Sequence, residues 1–113
     1  MKKLLTIATL AAMVTTLVAG EVMVKGSDTM LNLTQRMAEA FSAASPDITV
    51  SVAGGGSGVG INAVVNNEVQ IGNASRSIKS KEISNARANG VNPVEYAIAV
   101  DGLCVIAGPN NPV

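Results

Sequence analysis

Residues 54–60 read GGGSGVG, set between the apolar run "DITVSVA" and a helix-like stretch, "INAVVNNE". Glycines this dense on a strand-to-helix turn remove the side chains that keep other groups away from the main chain. The turn therefore brings backbone N–H groups close to a ligand or to another part of the protein. Which of the two it meets depends on the segments around it.

Those segments alternate. "EVMVKG" reads as a short strand with a turn signal at Gly26. Ser27 or Asp28 is placed to cap a helix over "TMLNLTQRMAEAFSAAS", where Met30, Leu33, Met37, Ala40 and Phe41 recur at helical spacing. Pro46 ends that helix. In "DITVSVA" the residues Ile48, Val50 and Val52 share one face of a strand. Ser57 is a candidate cap for a weaker helix over "SGVGINAVVNNE", and "VQIGNAS" reads as a third strand. "SKEISNARANG" fits a short helix with Ser80 before its first turn and Gly90 beyond its end. "VEYAIAVDGLCVIAG" then predicts one or two further strands. Strands alternating with helices specify an α/β fold with a mostly parallel sheet flanked by helices. In such sheets ligands sit beyond the carboxyl ends of the strands, which here carry "GSDT", "GGGSG" and "NASRS".

The start of the chain has another purpose. "MKK" is basic, "LLTIATLAAMVTTLV" is apolar and uncharged, and small residues precede Glu21. This is the pattern of a secretory signal peptide over residues 1–20, leaving 21–113 as the folded unit. The apolar run falls short of the ~20 residues of a membrane span. Without Lys2 and Lys3, six cations face eight acids, and the remainder carries a net charge of about −2. With no basic patch, and only Phe41 and Tyr96 available to stack on bases, no nucleic-acid partner is expected. The chain has no His and a single Cys, Cys104, within "LCVIA". That composition excludes Ser-His and Cys-His nucleophiles and histidine–metal chemistry, so no metal is expected, and Cys104 reads as a buried apolar thiol.

The three polar turns carry what chemistry there is. In "AGGGSG" exposed N–H groups at a helix start attract anions, and Ser57 adds a hydroxyl. The alternative is a tight turn with Ser57 as a cap alone. In "GSDTM", Ser27 and Thr29 supply hydroxyls. Asp28 complements the helix dipole as a cap, but repels an ionised anion unless it faces away or accepts the ligand's proton. In "NASRS", Ser75 and Ser77 flank Arg76, whose planar fork suits paired oxygens, although an isolated Arg is as readily a solvated surface residue. A Walker loop is ruled out, because no Lys lies between Lys25 and Lys79. "GVGINA" matches G-x-G-x-x-A by letter through Gly58, Gly60 and Ala63, which keeps a dinucleotide-binding enzyme domain as the alternative of another class. The acid expected at the end of its next strand is not evident. Ser57 has no base beside it in sequence, so the expectation is a site that binds rather than one that catalyses.

Taken in order, "KGSDTM", "AGGGSGVGINAV", "IGNASRSIKSKE" and "AVDGLCVIAGPNNPV" resemble the phosphate-binding component of bacterial phosphate ABC transporters, over residues 22–113. The resemblance implies a periplasmic-binding-protein-like (type II) lobe, exported to the periplasm or cell surface. It also implies a non-enzymatic receptor without cofactor, which holds inorganic phosphate with hydroxyls, backbone N–H groups and an Arg and passes it to a membrane permease. By motif position the phosphate contacts would be Ser27, Asp28, Thr29, Ser57, Gly58, Ser75 and Arg76. Some members carry an Asp where this chain has Arg76, so discrimination of protonated phosphate would fall to Asp28 or Asp101. Members also have a second lobe, so this chain reads as a truncated first lobe that binds phosphate weakly by itself. The nearest alternative keeps the fold and changes the ligand to another oxyanion, such as sulfate or molybdate.

Overall fold

The computed structural model describes residues 20–102 and 104–111. The expected signal peptide lies outside them, except for Gly20, which opens the first strand. Three strands, β1 (Gly20–Gly26), β2 (Ile48–Ala53) and β3 (Ile71–Asn73), are joined by α1 (Asp28–Ala44) and α2 (Ser57–Val65). A third helix, α3 (Ser80–Ala88), follows β3.

The strands form one parallel sheet in the order β2-β1-β3. Val24 of the central strand is in register with Val52 on one side and Ile71 on the other, and Gly26 is level with Asn73. Parallel pairing puts all three strand-to-helix turns at the same edge of the sheet. In β2 the period-two pattern holds: Ile48, Val50 and Val52 are half-buried while Thr49, Ser51 and Ala53 are exposed.

The core is thin. Ile61, Val65 and Ala86 are buried together, with Ala74, Ile78 and Val91 packed against them, and Val24 and Ala63 are also buried. Gly60 allows α2 to lie directly on the sheet. A Cβ there would stand 2.6 Å from the Gly26 Cα and 2.9 Å from the Asn73 carbonyl oxygen. At the far end of α3, Gly90 takes φ +77°. The Val91 N–H reaches the Ala86 carbonyl at 2.8 Å and the Gly90 N–H reaches the Arg87 carbonyl at 3.0 Å. These are the two bonds of a Schellman stop, and they bring Val91 back onto the core.

Several local expectations are corrected. Neither Ser27 nor Asp28 caps α1 through its side chain; Ser27 occupies the cap position, and Asp28 is the first helical residue. Gly56, not Ser57, stands at the start of α2 with φ 91°, because the reversal from β2 requires positive φ at Gly55 and Gly56. Lys79, not Ser80, precedes α3, and its N–H is taken by the Glu82 carboxylate at 2.8 Å. α1 forms as expected, yet Leu33, Met37 and Phe41 remain 39 %, 49 % and 44 % exposed, and the residue it buries is Thr34. The strands predicted within "VEYAIAVDGLCVIAG" do not form among the described residues. No neighbouring strand offers that segment a ladder, and Val100, Val105 and Ile106 stand in solvent. Cys104 lies in the same segment and is exposed, for want of an element to cover it.

Candidate functional site

Each of the three turns at the carboxyl edge is tied to another. The Ser27 N–H donates to the Asn73 carbonyl at 3.0 Å, joining the start of α1 to the end of β3. The Gly56 N–H donates to the Gly26 carbonyl at 2.9 Å, and the Gly55 N–H donates to Asp28 Oδ1 at 2.9 Å. These two bonds hold the glycine loop against the first turn. The Ser57 Oγ accepts the Ser75 N–H at 3.0 Å and lies 3.1 Å from the Ser75 Oγ, which holds the third turn to the second. Behind them, buried Asn73 donates from Nδ2 to the Thr34 hydroxyl at 2.7 Å, and Thr34 donates on to the Met30 carbonyl at 2.9 Å. That buried chain fixes the end of β3 against α1.

The expected site residues divide by what their polar atoms already do. Ser27 is buried, with its main chain engaged. Asp28 faces the glycine loop, where its Oδ1 also occupies the space a Gly54 side chain would need. Thr29 is exposed at the start of α1. Gly58 is exposed and second in α2, where an N–H has no intrahelical acceptor, and there is open space where a side chain would be. The Ser57–Ser75 hydroxyl pair leaves one O–H free whichever oxygen donates, because a single hydroxyl proton suffices for the bond between them. Thr29, Ser75 and Arg76 line one open groove of about 920 Å³, which runs between β3 and the segment after α3. Ser57, Gly58 and Asp28 are not part of its wall.

Arg76 is engaged. Nη1 donates to the Ser77 carbonyl at 3.0 Å and to Glu82 Oε2 at 3.0 Å, and Nη2 donates to Glu82 Oε1 at 2.8 Å. The hydrogen bond from Arg76 and the Lys79 N–H together hold the Glu82 carboxyl down at about 2, and the same pairing raises the Arg76 guanidinium above its ordinary value. The local positive charge is therefore largely offset. What this edge of the sheet offers an anion, in the groove and beside it, is a set of fixed N–H and O–H donors rather than net charge. Glu95 and Asp101 also reach the groove, accepting the Ile78 N–H at 3.2 Å and the Gly102 N–H at 2.8 Å. Gly60, the second glycine of "GVGINA", faces the backbone of β1 and β3, so packing accounts for it. The sequence reading missed Glu82, Asn73 and Thr34. Only Glu82 left a trace there, as the acid three residues beyond Lys79 in the first turn of a helix.

The fold agrees with the comparison to known families, in which residues 12–113 match the PBP superfamily domain. The chain belongs to the PBP superfamily. Among PBP relatives, SphX of Synechococcus elongatus is 36 % identical over 88 residues, covering 78 % of this chain and 26 % of that protein. The phosphate-binding protein PstS of Bacillus subtilis is 34 % identical over 92 residues, covering 81 % and 29 % respectively. A phosphate ABC transporter, phosphate-binding protein from Streptococcus pneumoniae superposes with a TM-score of 0.56 at 30 % identity, over 62 % of this chain and 27 % of that one. This PBP chain thus spans less than a third of the length of each of these three.

Proposed function

We propose that this chain is the first lobe of an exported receptor that binds inorganic phosphate, without catalysis, and delivers it to an ABC-type permease. The carrying observation is the interlocking of three strand-to-helix turns through Asp28–Gly55 and Ser57–Ser75, with donors left over at Gly58, Thr29 and the serine pair. The PstS relative and the Streptococcus pneumoniae structure, both named as phosphate-binding proteins, support phosphate as the oxyanion. Tetrahedral oxygens take several N–H and O–H donors at once, and donors already held by other bonds need little reordering to do so. Glu82 offsets most of the charge on Arg76, so binding rests on directed N–H and O–H donors, those left on Arg76 included, rather than on net charge. Water on the open side of the groove keeps the attraction modest.

The melting temperature tests this reading. A ligand that binds only the folded chain raises it with concentration, while the general salting effect of phosphate acts on any variant. Phosphate is expected to stabilise the chain beyond chloride of equal ionic strength, and Ser75→Ala is expected to lose that increment. NAD(H) is expected to give none. An equal phosphate response in both chains would remove the three turns as the site.

A further inference from the structure

We propose that Glu82 is a positioning residue of the oxyanion site: by occupying the end of the Arg76 guanidinium it aims the Nε–Nη2 edge at the groove that Thr29 and Ser75 line. The inference rests on the phosphate reading above and assigns Arg76 a definite contact edge within it. A guanidinium has five N–H donors in a rigid fork. Both hydrogens of Nη1 are engaged, one by the Ser77 carbonyl and one by Glu82 Oε2, and one hydrogen of Nη2 is engaged by Glu82 Oε1. The Nε–H and the second Nη2 hydrogen are left, side by side and parallel, which is the spacing that two oxygens of one oxyanion accept.

Glu82 can hold that edge still because it is itself anchored. Its Oε2 takes the Lys79 N–H at 2.8 Å, which fixes the carboxylate in the first turn of α3, and its side chain is only 19 % exposed. Ala86, one turn further along α3, is fully buried in the core, so the helix that carries Glu82 is seated. The line of support runs from core to helix to carboxylate to guanidinium. Without Glu82, Arg76 is a long exposed side chain that must give up its rotamer freedom each time it meets an anion.

The test uses the ¹⁵N-labelled chain and its Glu82→Gln variant, with inorganic phosphate as the probe. Glutamine keeps an oxygen for the Lys79 N–H, so α3 retains its first turn, while the charged two-point grip on Arg76 is lost. Without phosphate, the heteronuclear NOE of the Arg76 Nε–H is expected to match the backbone in the wild type and to fall to that of a free side chain in the variant. With phosphate, the Arg76 Nε–H is expected to shift on saturation, and Glu82→Gln is expected to raise the dissociation constant by about threefold to tenfold. The Gly58 and Ser75 amides should still respond in the variant. A mobile Arg76 Nε–H in the wild type, or an unchanged dissociation constant in Glu82→Gln, overturns the role given to Glu82 and leaves the phosphate reading intact. If Thr29, Gly58 and Ser75 in the wild type do not respond to phosphate, the phosphate reading and this inference fall together.

Discussion

The side-chain oxygen of Ser57 stands 3.0 Å from the main-chain nitrogen of Ser75 and 3.1 Å from its hydroxyl. One hydroxyl thus joins the glycine loop at the start of α2 to the loop that follows β3. Whichever oxygen donates, the pair also leaves one O–H without a partner inside the pair, which makes it part of the candidate site as well as its brace.

Replacing Ser57 by alanine removes both bonds at once and leaves the Ser75 N–H to water. The expected stability loss is about 1 kcal/mol. In a unit of this size, that lowers the melting temperature by about 4–8 °C. Phosphate-induced stabilisation should vanish in the same variant. A melting curve with and without phosphate reads both effects.

Two glycines of the same helix predict opposite outcomes. An alanine at Gly60 would push its methyl group into the backbone of Gly26 and Asn73, which cannot move without opening the sheet. Gly60→Ala is expected to cost about 1–3 kcal/mol, the range for an overpacked core. Gly58→Ala meets open space and should change stability by no more than about 0.5 kcal/mol. Urea melts and phosphate titrations of the two variants separate packing from site: Gly58→Ala is expected to stay folded and to bind phosphate less tightly, because its methyl group crowds an anion at that turn.

Asp28 holds the glycine loop through Gly55, so its replacements should differ by whether they keep an oxygen in place. Asp28→Asn retains the acceptor. Asp28→Ala loses it, together with a favourable charge at the start of α1, at an expected cost of about 1 kcal/mol. Amide hydrogen exchange at Gly55 is the direct readout, with faster exchange expected in the alanine variant and near-native exchange in the asparagine one.

Low pH should loosen the third turn before the sheet. Glu82 ionises far below its ordinary 4.5 because Arg76 and the Lys79 N–H favour the carboxylate, with the folded value at about 2. A depressed acid contributes fully above its unfolded value and loses that contribution as pH falls through the folded one. Protection of the Lys79 amide and order of the Arg76 side chain are therefore expected to decline between 4.5 and about 2. Glu82→Gln should show no such transition.

Much of this arrangement is legible in the chain itself, because it depends on local spacing. The period-two run Ile48, Val50, Val52 and the three polar turns require only near neighbours to be recognised, and parallel pairing, though not the order β2-β1-β3, then follows from the alternation of strands and helices. Features that depend on distant partners are not. The spacing of Leu33, Met37 and Phe41 marks a helix face, yet α1 is turned so that Thr34 meets Asn73, a residue 39 positions away. The tail after α3 has the composition of a strand, but a strand requires a second segment to pair with, and composition does not supply one. The fork of Arg76 is evident from its residue type, whereas its grip by Glu82, six residues on, depends on how the turn enters α3.

The central claim, that the three turns form one oxyanion site, is tested most directly by titrating inorganic phosphate and then sulfate into the ¹⁵N-labelled chain at neutral pH. The account predicts saturable shifts confined to the Thr29, Gly58 and Ser75 amides and their neighbours. With water on the open side of the groove, the dissociation constant should be on the order of millimolar, and phosphate should bind more tightly than sulfate. Shifts that never saturate, or that scatter over the surface lysines and leave those three amides unmoved, would contradict it.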